Sequence, residues 1–257
     1  MKNALLKNTI YLYLLTFSNY LFAFITIPYQ TRILGPELFG ILGVAIAFQT
    51  YFNLILDFGF ILSGTKLVAK RASDKKELSQ ILSAITYAKI SIFIILSLIL
   101  YVLCNTIDYL NTNKTILFLY LILAALTSII PDFLYRGLEN MKMITYRTLI
   151  VRFLFTCLIF IFLKEPEQYY IIPISQIIGT LVALIWIFYD ITKNLQLKFT
   201  TISTNYIITI TKNSSQYFLS RIASSVYNVT NTVILGFIYP NSNIVGLYTS
   251  TEKIRSI

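Results

Sequence analysis

Histidine is absent from this 257-residue chain, cysteine occurs only at Cys104 and Cys157, and charged residues make up 12% of the whole. Without histidine or a CxxC pair, a metal site or dithiol chemistry has no ligands to start from. No GxxxxGK[ST] segment occurs, which excludes nucleotide binding through a P-loop. Charge so sparse cannot cover a water-facing surface, since soluble domains carry about 25% charged residues. No cofactor is expected.

Apolar residues are abundant instead, at 56%, with mean hydropathy +0.72. They lie in long unbroken runs rather than alternating. A run of about 20 such residues spans roughly 30 Å of hydrocarbon as a helix, and helices satisfy their own backbone groups there. The chain therefore reads as an all-α polytopic membrane protein. Seven transmembrane helices are predicted at 9–30, 38–64, 79–103, 115–135, 144–163, 169–189 and 213–238, with an eighth starting at 244. The first is too long for a signal-peptide core and lacks a small-residue cleavage site, so it is read as retained. Breakers fall in the gaps: Gly35-Pro36, Pro166 and Pro240.

The net charge of +10 is explained by a membrane, not by nucleic acid. Lys2, Lys7, Lys66, Lys70, Arg71, Lys75, Lys76, Arg136, Lys142, Arg147, Lys193, Lys198 and Lys212 fall in connections on one side; only Arg32, Lys114 and Lys164 fall on the other. Positive residues mark the cytoplasmic side, so the N-terminus is expected inside. On this count the charges of 131–147, PDFLYRGLENMKMITYR, are mainly a topological anchor in a cytoplasmic hairpin.

Lys89, Arg152, Arg221 and Asp57 instead lie within predicted spans. A charge near a span centre costs about 2.5–3.5 kcal/mol on insertion scales, so such residues face protein or water; for Arg152 and Lys89, outward snorkelling is the alternative. In the seventh span, Ser214, Tyr217, Arg221, Ser224, Ser225, Asn228, Asn231 and Thr232 share one face. Interhelical hydrogen bonding through small polar residues is one reading of that stripe; a hydrated cavity, favoured here, is the other. Gln49, Asn53 and Asp57 make a similar face on the second span, and Thr16, Asn19, Thr26 and Gln30 on the first, where core packing is an equally good reading. Together these imply one interior space whose charges are Asp57 against Lys89, Arg152 and Arg221, suited to an anion such as phosphate.

The segment Phe133, Gly137-Leu138-Glu139, Met141-Lys142 and Ile144-Thr145 resembles the hairpin of polysaccharide-repeat exporters, the O-antigen flippase (Wzx) family. RILGPELFGILG at 32–43, LDFGF at 56–60 followed by Lys70-Arg71, and VGLYTSTEKI at 245–254 resemble it in the same order. The resemblance implies two bundles of six helices around a central cavity, within the multidrug/oligosaccharidyl-lipid/polysaccharide exporter superfamily. It implies an inner-membrane flippase, not an enzyme, moving undecaprenyl-diphosphate-linked oligosaccharide for O-antigen or capsule. A polysaccharide polymerase and a chain-length regulator are the implied partners. Arg32 stands where family members often have a basic residue, off its helix's polar face.

Family members have twelve or more spans, so a truncated product is expected: residues 1–190 as the first six-helix bundle, 191–211 as a cytoplasmic linker, and 212–257 as the start of the second. Lys212-Asn213 and Ile234-Leu235-Gly236 echo Lys7-Asn8 and Ile33-Leu34-Gly35, as a parallel repeat would. Arg221 and Lys89 are expected to hold the head group, with Asp57 balancing charge or carrying a coupling proton. The alternatives are a multidrug or peptidoglycan-precursor exporter, and a membrane polymerase or glycosyltransferase. The short outward connections leave the latter little room for a catalytic loop.

Overall fold

Glycine and proline decide where these apolar runs bend. A computed structural model describes residues 2–239, 245–248 and 251, with the side chains of 2–5 and 223–229 undescribed. The elements are α1 (Lys2–Asp57), α2 (Phe60–Lys70), α3 (Lys75–Thr106), α4 (Asp108–Thr112), α5 (Lys114–Ile129), α6 (Asp132–Gly137), α7 (Met141–Phe162), a 3-10 turn (Pro166–Tyr170), α8 (Ile171–Lys193) and α9 (Thr204–Ile238). Among the described residues there is no strand.

Within α1, Gly35 leaves the helix at φ 68°, ψ 174°, a conformation open to glycine. Pro36 follows and disfavours helical backbone at the residue before it. The chain turns back here. Asn8 Nδ2 donates to the carbonyl of Glu139 at 2.8 Å, and Gly64 lies against the Phe133 ring, both in the 131–147 hairpin. Tyr29 OH instead reaches the carbonyl of Leu163, at the opposite end of α7 (2.8 Å). The two halves of α1 are thus antiparallel rods.

Five stretches among the described residues are long and apolar enough to cross a bilayer: Leu6–Lys70, Lys75–Thr106, Lys114–Gly137, Met141–Phe162 and Pro166–Lys193. The first contains the Gly35 reversal and so holds both spans expected at 9–30 and 38–64. On α3, Ile94, Ile95, Leu98, Tyr101 and Val102 are each more than half exposed. An apolar face that continuous belongs in lipid. The chain is a multi-pass membrane protein.

Some expected bounds shift. The second span breaks at Phe58 and Gly59, both with positive φ, before α2 begins. The fourth breaks at Pro131, which separates α5 from α6. The stretch expected as linker, 191–211, is helical at both ends: α8 runs to Lys193 and α9 starts at Thr204. What lies between is strapped to α3, where Ser79 and Ser83 Oγ accept from the backbone N–H of Lys198 and Thr200 (3.1 and 2.9 Å). The α9 segment, expected as the span at 213–238, is not among the five because its polar stripe dilutes it. The expected eighth span lies largely outside the described residues.

Two apolar clusters hold the helices. One contains Leu42, Leu56, Leu100, Tyr120 and Ile159; the other, at the hairpin end, contains Phe60, Ile85, Leu134 and Ile191. The helix breaks at 58–59 and 130–131 fall between them, and so does a layer of polar side chains.

Gly59 is tight as well as left-handed. A Cβ there would lie 2.5 Å from the Ser214 carbonyl oxygen and 2.8 Å from the Phe218 nitrogen, whereas at Gly35 it would meet nothing within 4 Å. Gly59→Ala carries about 1–2 kcal/mol of left-handed backbone strain and Gly35→Ala about 1–3 kcal/mol in its own glycine-only region, and only Gly59→Ala adds a collision with α9. Thermal unfolding in detergent should show the larger loss of melting temperature for Gly59→Ala. Equal losses would contradict this packing.

Candidate functional site

Each helix break frees backbone groups that lipid cannot satisfy, and charged side chains answer them. Pro131 has no N–H to offer α5, and the Asp132 N–H turns to the carbonyl of Ile130 (2.9 Å). The Ser128 carbonyl is left open at the end of α5. Lys89 Nζ donates to it at 2.6 Å, with its ammonium 5.8 Å from the Phe133 ring centre. A cation at a helix C-terminus also complements the helix dipole. Lys89 is 5% exposed, so it does not snorkel.

Asp57 plays the reciprocal part at the other break. Its Oδ1 accepts the Ile61 N–H of α2 at 3.1 Å, and its Oδ2 pairs with Arg221 of α9. On α9, Ser214 of the stripe follows the same line, as do Thr230 and Phe218 outside it. Ser214 Oγ meets Ser63 Oγ at 2.6 Å, Thr230 Oγ1 meets Tyr51 OH at 2.8 Å, and Phe218 stacks on Phe58. The stripe was favoured to face a hydrated cavity. Of its described members, Ser214 and Arg221 bond to α2 and the second rod of α1, as the interhelical reading has it. Arg221 does both: with Asn53, Asp57, Lys89, Asp132 and Arg147 it also lines a cavity of about 290 Å³. Asn231 is exposed, and the side chain of Asn228 lies outside the described residues.

A larger cavity, about 650 Å³, opens between both rods of α1 and α5 to α8. Asn19, Thr26 and Gln30 of the first rod line it, as do Gln49 of the second and Gln176 and Thr180 of α8. Its charges are Asp132, Arg136, Arg147 and Arg152, so its wall is net cationic. The two cavities share Thr127, Ile130, Asp132 and Arg147 in their linings. Arg147 Nη2 donates to Asp132 Oδ2 at 3.0 Å, while the buried Arg147 Nε and Asp132 Oδ1 have no partner among the described residues. Arg152, half-buried, makes neither a hydrogen bond nor an ion pair among the described residues. Arg32 is exposed and belongs to neither lining.

The structure therefore separates the residues that sequence grouped together. Arg152 stands in the larger cavity; Asp57, Lys89 and Arg221 stand in the smaller one, engaged with protein partners. Arg136 and Arg147, read as topological anchors, line the larger cavity. Asp132 and Arg136 stand at i, i+4 on a short helix that Pro131 cuts loose from α5, and that spacing was the available signal. Tyr135 OH fastens this helix to α8 by donating to the buried Asp190 Oδ2 (2.8 Å), whose Oδ1 accepts from Asn194 (2.6 Å). A guanidinium presents its donors in a planar fork that suits phosphate oxygens. A cationic, polar-lined hollow with an arginine that has no partner among the described residues has the chemistry to accept an oxyanion.

Residues 5–257 match the protein family described as "Polysaccharide biosynthesis protein". The chain is 29% identical over 255 residues to the "Putative O-antigen transporter" of Escherichia coli strain K12, covering 99% of this chain and 61% of that one. The Shigella dysenteriae protein of the same name is 29% identical over 252 residues, covering 97% and 62%. The chain thus spans about three-fifths of the length of these curated relatives. No solved structure matches.

The Asp132–Arg147 pair is the joint between the two cavities. Arg147→Ala leaves the carboxylate partly buried without its cation and should cost about 1–3 kcal/mol. Asp132→Ala added to it should recover part of that loss. A double-mutant cycle on unfolding in detergent measures the coupling; purely additive losses would mean that the pair holds nothing together.

Proposed function

The chain belongs to the polysaccharide biosynthesis protein family, and from that premise we propose that it forms the first bundle and the start of the second in an inner-membrane flippase. The cargo in this reading is an undecaprenyl-diphosphate-linked oligosaccharide, turned to the outer leaflet for O-antigen or capsular polysaccharide. The observation that carries the reading is Arg152, a guanidinium without a partner among the described residues, in a net cationic cavity. The names of the two relatives support it, and so does the size of the hollow, about 650 Å³.

The residues divide the work by what already occupies them. Arg152 offers its whole fork to the diphosphate. Arg147, paired with Asp132, adds positive charge to the wall and Arg136 a more exposed charge, while Asn19, Gln30, Gln49 and Gln176 offer amide groups to sugar hydroxyls. Inside a low-dielectric wall such charge-assisted hydrogen bonds are stronger than in water. No covalent bond is made or broken in this scheme, so the protein acts as a transporter rather than an enzyme.

Alternating access then requires the second bundle to swing against the first. The first helix of that second bundle is α9, tied to the first bundle by Arg221–Asp57. An anionic head group arriving in the smaller cavity competes with Asp57 for Arg221 and loosens that tie. The bias of Lys and Arg places the N-terminus and the 131–147 hairpin in the cytoplasm. Polymerase and chain-length regulator would receive the delivered units on the far side. A cationic drug fits this wall poorly; another diphosphate lipid, such as a peptidoglycan precursor, fits the same cations.

Surface polysaccharide in cells that depend on this transporter tests the reading. Arg152→Ala should lower it about tenfold at normal membrane abundance, as loss of a charge-assisted contact does. Arg152→Lys should restore only part, because an ammonium lacks the bidentate fork. Unchanged export in Arg152→Ala would remove this residue from the site.

A further inference from the structure

Lys89 belongs to two hollows at once. Besides the polar cavity it shares with Arg147 and Arg221, it lines a second hollow of about 240 Å³ between α3 and α5. The remaining wall of that hollow is almost wholly apolar, made by Ile90 and Phe93 of α3 and Ile122, Leu126 and Ile129 of α5. The groove has a direction. Lys89 and Ser128 mark one end, at the break that terminates α5; Phe93 and Ile122 mark the other. At 1.5 Å per residue the trough runs roughly 6–10 Å along the helices. Its rim faces outward, with Ile90 40% and Ile122 42% exposed.

The ammonium at the head of this trough is short of partners. Lys89 is buried, yet among the described residues it makes one hydrogen bond, to the Ser128 carbonyl, and no ion pair. An ammonium has three donors. Asp57 and Asp132 line the same polar cavity without pairing with it. Those two carboxylates compensate the buried ammonium only through space, and a buried cation without a directly paired anion is costly; an anion that arrives with a hydrocarbon chain attached would complete it. The geometry is that of a lipid: a charge at the helix break, a hydrocarbon trough leading away from it, and a polar chamber behind it for whatever the phosphate carries.

We propose that the α3–α5 groove seats the first isoprenoid units of the polyprenyl carrier, with Lys89 on the carrier's phosphate at the mouth of the polar chamber. The proposal rests on the flippase reading and extends it. The head group is held inside while the chain stays outside among the bilayer hydrocarbon, so the cavity never has to enclose it. Lys89 is then a site for the lipid's phosphate in its own right, apart from the arginines that face the larger cavity.

The test is retention of undecaprenyl phosphate by the purified chain in detergent, read by native mass spectrometry across a lipid titration. Ile122→Trp fills the trough from its exposed side and should weaken retention about tenfold. Lys89→Met, which keeps the stem and removes the charge, should do the same. Ile94→Trp changes an equally lipid-facing residue outside the trough and should have no effect. Phosphatidylglycerol at equal concentration should displace little of the bound polyprenyl phosphate. The proposal is overturned if Ile122→Trp retains the lipid like the unmodified chain, if Ile94→Trp loses as much, or if phosphatidylglycerol competes equally. Since the probe carries no sugar and nothing is transported, a negative result here leaves the Arg152 export result standing, and the reverse also holds.

Discussion

A backbone carbonyl without a donor is hard to keep inside hydrocarbon, and the interior of this protein is organised around that constraint. Two interruptions, at Phe58–Gly59 and at Pro131, open helical ladders within the bundle. Lys89 closes on the exposed carbonyl of Ser128 and Asp57 on the N–H of Ile61. Those repairs bring ionised groups to a level that apolar helices would otherwise exclude them from. Once there, each charge creates a demand of its own. Arg221 answers Asp57 and, close by, Arg147 answers Asp132. The polar layer between the two apolar clusters is the outcome.

This arrangement explains how one set of residues can serve packing and also the proposed transport. Asp57, Lys89 and Arg221 are bound into the structure, so their charges are partly compensated and their positions are constrained. Arg152 is not, and it lies a turn and a half beyond Arg147 on the same helix. The cavity therefore presents its least satisfied cation on a rigid rod, flanked by arginines whose geometry a neighbouring carboxylate or helix sets. The junction of Tyr135, Asp190 and Asn194 contributes from the far side of α6 by fixing how that short helix stands.

Much of the architecture was legible in the chain because hydrocarbon imposes a simple test of length and polarity. The runs at 79–103, 144–163 and 169–189 pass that test with few charges; α3 contains the first, and α7 and α8 cover the other two but for Leu163 and for Tyr169 and Tyr170. Faces such as Gln49, Asn53 and Asp57 were legible from helical spacing, and Gln49 lines the larger cavity, Asn53 and Asp57 the smaller. Position in a loop was the misleading cue. Arg136 and Arg147 border a basic hairpin, and counting charges by side cannot show that Pro131 re-aims the intervening helix at the cavity. Depth marked Lys89 and Arg221 as charges that face protein or water, and both are engaged by partners distant in sequence. Pairing depends on tertiary placement, and no spacing rule within one helix reports it.

The central claim is that Arg152 faces a polar hollow while its neighbour Phe153, 59% exposed, faces lipid. Single cysteines at these two positions, in a background where Cys104 and Cys157 are replaced by serine, separate the alternatives by reaction with a charged thiol reagent. The account predicts rapid labelling at 152 and almost none at 153. Labelling at 153 with protection at 152 would turn the arginine outward and leave the cavity without its free cation.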